Sequence, residues 1–201
     1  MQSSRPALLS ACLILGSVLL AGCGAIPVSV KHGRLPRSAI QRDGTLAVTP
    51  FKDTREVSKP DHLGEVRGVF GNHVADFVSR NRRPIAAIVE DCFVRSLKHV
   101  GYTITDPPNA PVTVEADVFE FTLESSLNNV ARIGVLVRVR DTEKSTVLWE
   151  KEIHGKEDDI LSLDNAVRAA LDVALANAIR EFSSLDFHEA VQRKNRRALE
   201  H

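Results

Sequence analysis

Cys92 and His99 come closest in this sequence to a catalytic pair. An imidazole can activate a cysteine thiol for attack on a carbonyl carbon, and a spacing of seven residues places two side chains about two helical turns apart. Cys92, however, belongs to the apolar stripe of its segment, where a thiol behaves as a small hydrophobic group. We therefore interpret Cys92 as a core residue and not as a nucleophile.

Acidic residues and histidines offer two weaker patterns. His73 and Asp76 are spaced as on one turn of a helix, and Asp158 and Asp159 form an acidic pair. Solvated or capping roles are commoner for such residues than metal ligation or glycosidase chemistry, and the sequence has neither a Gly-x-Ser-x-Gly elbow nor a His-Glu-x-x-His helix. We expect no catalytic residues, no metal and no cofactor, and hence no enzyme.

The composition favours one globular domain. The chain has 201 residues, 43% of them hydrophobic, and its 26 Lys and Arg balance 26 Asp and Glu. Because the formal net charge is zero and only 5% of residues are aromatic, neither a nucleic-acid partner nor a base-stacking platform is expected.

The N-terminus carries the clearest chemical pattern. The apolar run from Ala7 to Ala21 is shorter than the roughly 20 residues that a spanning helix needs, but it fits the core of a secretory signal. It ends in Leu20-Ala21-Gly22-Cys23, which resembles the bacterial lipobox. The resemblance implies removal of residues 1–22, an S-diacylglyceryl group on Cys23 and an N-palmitoyl chain on its new amine. The alternative is an ordinary secretory signal that happens to contain a cysteine.

Two features after Cys23 concern location. The next residue is Gly24, whereas Asp at this position retains lipoproteins at the inner membrane, so the resemblance implies outer-membrane sorting. Residues 23–43 mix proline, glycine and basic residues without periodicity, which predicts a tether with a short strand at Ile26 to Val30.

The remainder is interpreted as a single α+β domain over 44–185 and a basic tail or short helix over 186–201. The stretch from Lys52 to Arg82 contains glycines at 64, 68 and 71 without the Gly-Lys-Ser/Thr of a phosphate loop. It is either a surface excursion or a hairpin with a short helix near Asn72 to Ser79, and long loops of this kind often carry function.

Apolar periodicity indicates the main elements. Helical spacing predicts helices from Pro84 to Val100, ending at Gly101, and from Leu163 to Phe182, with Ser162 as N-cap. Alternation with period two, broken by a bulge near Val118 and Phe119, predicts strands at Thr45 to Phe51, Val112 to Leu123, Ala131 to Asp141 and Thr146 to His154.

These elements predict a two-layer α+β fold. We expect a mostly antiparallel sheet of about four to five strands with two main helices on one face. The arginine-bearing face of the 131–141 strand is expected to lie opposite the glutamates of the next strand.

The order of motifs also resembles a known group. The lipobox, the helix ending in Val100-Gly101-Tyr102, the strand Pro111-Val-Thr-Val-Glu-Ala116, the meander, the long helix and the Phe187-His-Glu-Ala190 tail together resemble the YajG-type family of uncharacterised bacterial lipoproteins. The Thr49-Pro-Phe-Lys-Asp-Thr-Arg55 stretch is similar to the first strand of other envelope assembly lipoproteins. The resemblance implies a location and a fold, and it brings no catalytic residues.

Two functions follow as hypotheses. The first is a non-catalytic binding or assembly accessory, held by its lipid on the periplasmic side of the outer membrane beside an envelope protein partner. The second is a carrier or sensor of a small apolar or envelope-derived ligand, which requires a cavity lined by Phe93, Phe119, Phe121 and Phe182. The oligomeric state is left open.

Overall fold

The computed structural model describes residues 25–31, 35–36, 40–67, 72–125, 128–159 and 162–198. Within these ranges the chain forms a mixed sheet of nine strands and three α-helices. The strands are β1 (Ala25–Val28), β2 (Thr45–Val48), β3 (Lys52–Asp53), β4 (His62–Arg67), β5 (His73–Ser79), β6 (Thr103–Thr105), β7 (Val112–Ser125), β8 (Asn129–Asp141) and β9 (Val147–Asp159), and the helices are α1 (Ile85–Val100), α2 (Leu163–Phe182) and α3 (Leu185–Ala198).

The three longest strands form an antiparallel meander, as their alternation predicts. β8 pairs with β7 on one side and with β9 on the other. One side-chain face of each strand is buried in the common core, as Val114, Val137 and Ile153 illustrate. The predicted bulge is confirmed as a register shift between Val118 and Glu120.

The second edge of β7 is built from three short strands that follow one another along it. All three pair with β7 in parallel. β2 pairs at Thr113 and Val114, β3 at Asp117 and Val118, and β4 from Leu123 onward. The expected sheet of four to five mostly antiparallel strands is therefore too small, although the α+β class is correct. The missing strands are two to seven residues long and rely on non-local pairing, so they carry little periodicity of their own.

The segment from Lys52 to Arg82 contains the expected hairpin but not the short helix that was expected with it. β4 and β5 pair antiparallel as a hairpin. The short helix predicted near Asn72 to Ser79 is wrong, because these residues form β5. Ala75 and Phe77 are buried while Val74 is exposed, which is the two-residue period of a strand and not the spacing of a helix.

Two helices cover the sheet as predicted. α1 ends at Gly101, and α2 begins after Ser162, whose hydroxyl accepts a hydrogen bond from the Asn165 amide. α2 approaches β9 so closely that a methyl group at Gly155 would overlap the Ala170 carbonyl oxygen. The alanine-rich stripe of α2 permits this approach, because small side chains let two backbones come together.

Both ends of the described chain pack on the domain. β1, within the segment for which a tether is predicted, pairs in parallel with β5. Further along that segment, the Arg42 side chain donates two hydrogen bonds to the Ser183 carbonyl. In α3, Phe187 is fully buried, and its ring centroid lies 5.0 Å from that of Phe182 and 4.9 Å from that of Trp149.

A buried arginine fixes the excursion between β3 and β4. The Arg55 side chain is only 3% exposed and forms a two-bond ion pair with Asp53, at 2.8 and 2.6 Å. Its remaining N–H groups donate to the carbonyls of Pro60, His62 and Phe121. All five guanidinium donors are thereby used, and the loop is held against the neighbouring strand.

We predict that Arg55→Ala lowers the free energy of unfolding by about 3 kcal/mol, because removal of one partner of a buried ion pair leaves the other uncompensated. Arg55→Lys should lie between wild type and Arg55→Ala, since an ammonium keeps the charge without the planar fork. Urea denaturation measures both.

Arg67→Ala is the matched control. Arg67 also pairs with the acidic residue two positions before it, Glu65, but its side chain is 63% exposed, so we expect a loss of less than about 1 kcal/mol. Equal losses for Arg55→Ala and Arg67→Ala would contradict the role assigned to Arg55.

Candidate interaction surface

The side of the β7–β9 meander that faces away from the helices forms the candidate site. Residues that alternate with the buried positions of these strands point to this side, and Glu115, Arg138 and Glu150 are direct cross-strand neighbours. This surface, called the open face below, consists of Glu115, Asp117, Phe119, Arg138, Arg140, Glu150 and His154.

Arg138 is the central cation of the open face. Its Nη1 lies 2.6 Å from Asp117 Oδ2 and its Nε lies 2.6 Å from Glu150 Oε2. The hydrogen bond to Asp117, followed by that to Glu150, raises the pKa of Arg138 above its ordinary value. The predicted opposition of arginines and glutamates is thus confirmed, and the side chain is held in a fixed position across three strands.

A second pair extends this arrangement toward the β8–β9 turn. Arg140 Nε donates to Glu115 Oε2 at 2.8 Å, and Arg140 Nη1 donates to the Ser145 carbonyl at 2.9 Å. Arg140 and Glu115 carry opposite charges, so this pair adds polar surface to the open face without adding net charge.

Phe119 is the apolar feature of the open face. It lies at the β7 bulge, 37% exposed, and its ring centroid is 5.6 Å from that of His154 in an edge-on contact. A methyl group at Gly134 would lie 2.5 Å from Phe119 Cε2, so the ring packs directly over that glycine. Aromatic residues and arginines are both enriched on surfaces that bind another protein, and the open face carries both.

The Cys92 and His99 pair has no catalytic geometry. Cys92 is buried in the core, and burial raises the pKa of its thiol to about 12. His99 Nε2 lies 2.7 Å from the Pro36 carbonyl oxygen, which connects α1 to the N-terminal segment. A protonated thiol is a poor nucleophile, so the interpretation of Cys92 as a core residue is supported.

The other chemical candidates form local contacts. His73 and Asp76 lie on β5 and not on a helix, with His73 Nε2 2.9 Å from Asp76 Oδ1. This hydrogen bond lowers the pKa of Asp76 below its ordinary value. Asp159 Oδ1 accepts a hydrogen bond from the amide of Ser162, the N-cap residue of α2. In the part of the chain that the structure describes, no group of three His, Cys, Asp or Glu residues is arranged to hold a metal ion.

A shallow cleft that the sequence analysis missed lies beside α1. Its volume is about 290 Å³, and Arg83, one of its basic residues, lies 2.7 Å from Asp91. The cluster Arg80, Arg82 and Arg83 is visible in the sequence, but the cleft itself depends on how β1 meets α1. Its lining includes Val30, Lys31, Arg83, Asp91, Cys92 and Arg95.

The predicted lipid-attachment residue, Cys23, lies outside the described residues, as do Gly68 and Gly71. Of the basic C-terminal residues, Arg193 lies on α3, where its Nη2 is 3.9 Å from Glu189 Oε2. None of the described helices combines the length and the apolar character needed to cross a membrane.

The raised pKa of Cys92 predicts a pH dependence of stability. The unfolded thiol ionises near its ordinary pKa of 9.0, whereas the folded thiol ionises near 12. The contribution of Cys92 to the free energy of unfolding is therefore complete below about pH 9. It is then lost as the pH rises toward 12, by up to about 1.4 kcal/mol per pH unit.

Urea denaturation at several pH values between 9 and 11 measures this slope. The slope should be smaller in Cys92→Ala, while the ionisation of Tyr102, whose pKa burial also raises, affects both proteins alike. An unchanged slope in Cys92→Ala would contradict the assignment.

Sequence comparison and structural comparison give different results. No protein-family model matches the chain, and no curated protein matches it in sequence. Among solved structures, protein XCC0632 from Xanthomonas campestris, of the DUF330 family, aligns with a TM-score of 0.59 at 15% identity over 86% of this chain and 99% of that one.

Two further structures align less well. The PelC dodecamer from Paraburkholderia phytofirmans gives a TM-score of 0.44 at 16% identity over 76% of this chain and 95% of that one. Lipoprotein GNA1162 from Neisseria meningitidis gives 0.35 at 15% identity over 69% and 99%. The similarity to the Xanthomonas protein establishes that the two chains share a fold.

Proposed function

We propose that this protein is a non-catalytic binding or assembly accessory, anchored by a lipidated Cys23 on the periplasmic side of the outer membrane. The observation that carries the proposal is the open face, where Phe119 is exposed beside the Arg138 ion-pair network. Its partner is an envelope protein. The proposed relationship to the YajG-type lipoproteins rests on the order of sequence motifs.

The lipobox residues support the anchor. Each buried methylene contributes about 0.8 kcal/mol to membrane binding, so two or three acyl chains hold a protein far more firmly than one. The anchor confines the domain to a thin layer beside the membrane and raises its effective concentration near any envelope partner. An open face of modest area can then bind a partner that it would bind only weakly in solution.

The charge arrangement suits a binding surface. Arg138 is held by two carboxylates before any partner arrives, so little side-chain entropy is lost when a complex forms. The exposed edge of Phe119 supplies an apolar contact on the same face, over Gly134 and beside His154. Together they favour recognition of a surface with its own exposed apolar group and complementary charges.

The alternative of a small-ligand carrier is less well supported. Phe93, Phe121 and Phe182 are fully buried in the core, and the Phe93 and Phe182 ring centroids are 6.0 Å apart. Phe119 lies over Gly134 on the open face. The four rings expected to line a cavity therefore belong to different sides of the sheet.

We predict that Cys23→Ala accumulates as unprocessed precursor without an acyl label, because the thioether can form only on a thiol. Metabolic labelling with a fatty acid in the bacterial host, followed by electrophoresis, measures both processing and label. Cys92→Ala is the control and should be processed and labelled normally. Acyl label on the Cys23→Ala protein would refute the anchor assignment.

We also predict that a photoreactive phenylalanine analogue at 119 captures a discrete envelope protein in cells. The same analogue at Leu185 is the control, because that side chain is 58% exposed but lies on α3, away from the open face. The adduct from 119 should weaken in Cys23→Ala cells as the effective concentration falls. Recovery of lipid alone, or the same adducts from both positions, would count against a binding role for the open face.

A further inference from the structure

A row of paired residues crosses six strands of the sheet and begins at Ala25, the first described residue. Ala25 of β1 pairs with Asp76, Asp76 with Glu65, and Glu65 with Glu124. The same row continues through Val130 to Asp158. This row is called the anchor row below; it consists of Ala25, Asp76, Glu65, Glu124, Val130 and Asp158.

β1 is fixed at this position. The Arg80 amide donates to the Val28 carbonyl, and the Ser29 amide donates to Asp164 Oδ1, both at 2.9 Å. Val28 is buried in the core. Because only two peptide units separate Ala25 from Cys23, the two Cα atoms can be at most about 7 Å apart.

We propose that the end of the sheet at the anchor row faces a lipid surface, with the long strands directed away from the membrane. The proposal rests on the lipid anchor proposed above. A chain held by acyl chains at Cys23 has only a short link before β1, so Ala25, at the β1 end of the anchor row, must lie within about 7 Å of the lipidated residue. The lipidated residue thus sets the orientation of the domain as well as its location.

The residues at this end suit a lipid surface. Val74 is 42% exposed on β5 just beyond the anchor row, and Ile26 is also exposed. Two of the four carboxylates of the row have arginine partners: Arg132 Nη1 lies 2.8 Å from Glu124 Oε1, and Arg67 forms an ion pair with Glu65. Paired carboxylates are repelled less strongly by headgroup phosphates than free ones.

The strand lengths determine how far the other end lies from the membrane. Ten residues of β8 separate Val130 from Arg140, a distance of about 33 Å along an extended strand. Val147 pairs with Arg140 and lies at that far end. Since the polar layer on each side of a bilayer is only about 5–8 Å thick, Val147 is outside it.

Val74 and Val147 therefore form a matched pair of label positions. They are the same residue type with nearly equal exposure, 42% and 45%, at opposite ends of the sheet. In the acylated mature protein Cys23 is blocked and Cys92 is buried, so a fluorophore on Val74→Cys or Val147→Cys reports one position. Arg67→Cys, also at the membrane end, replaces Val74→Cys if that variant folds poorly.

The experiment measures quenching in vesicles of phosphatidylethanolamine and phosphatidylglycerol that contain headgroup spin-labelled lipid. The full processed protein is reconstituted through its own acyl chains. We expect at least twofold quenching of the fluorophore at 74 and no significant quenching at 147. Acylated, vesicle-bound protein with equal quenching at both positions would overturn the orientation and leave the anchor intact. Protein without acyl mass that does not float with vesicles would overturn the anchor and this proposal together.

Discussion

The continuity of the sheet depends on how the second edge of β7 is completed. β8 pairs with β7 along its whole length, but the opposite edge is covered by β2, β3 and β4 in succession. Between β3 and β4 the chain leaves the sheet and returns. Arg55 holds this excursion against the sheet, because its five donors bind Asp53 and the backbone carbonyls of Pro60, His62 and Phe121.

Both candidate functional regions depend on that central strand. Its residues 115, 117 and 119 contribute to the open face, and Glu124 near its end belongs to the anchor row. Because one rigid strand runs through both regions, a membrane-facing sheet end implies an open face that stands roughly perpendicular to the bilayer. A partner protein would then approach from the side, within the layer to which the lipid confines the domain.

Sequence periodicity predicted the parts of the fold that carry their own signal. α1 and α2 have long apolar stripes, and Gly101 and Ser162 mark a helix end and a helix start, so their bounds agree with the sequence to within a residue. β8 alternates along its length, β7 alternates on both sides of one phase change, and that change near Val118 and Phe119 indicated the bulge. Local pattern was sufficient in these elements because one face of each is buried.

Elements that depend on distant partners were not visible. β4 contains Gly64, Glu65 and Arg67 and becomes a strand only through pairing with β7 and β5. The burial of the Arg55–Asp53 ion pair depends on the tertiary position of its loop, and the polar sequence of that loop predicts an exposed segment. At the candidate site, the opposition of Arg138 and Glu150 follows from alternation, whereas the packing of Phe119 over Gly134 requires the bulge geometry.

The lipid on Cys23 is the central claim, because both the location of the domain and its orientation follow from it. The intact mass of the protein extracted from native membranes, together with the mass of its N-terminal peptide, tests this claim most directly. We predict a chain that begins at Cys23 and carries a diacylglyceryl thioether and an amide-linked acyl chain. A chain that retains residues 1–22, or a trimmed N-terminus without lipid, would contradict the account.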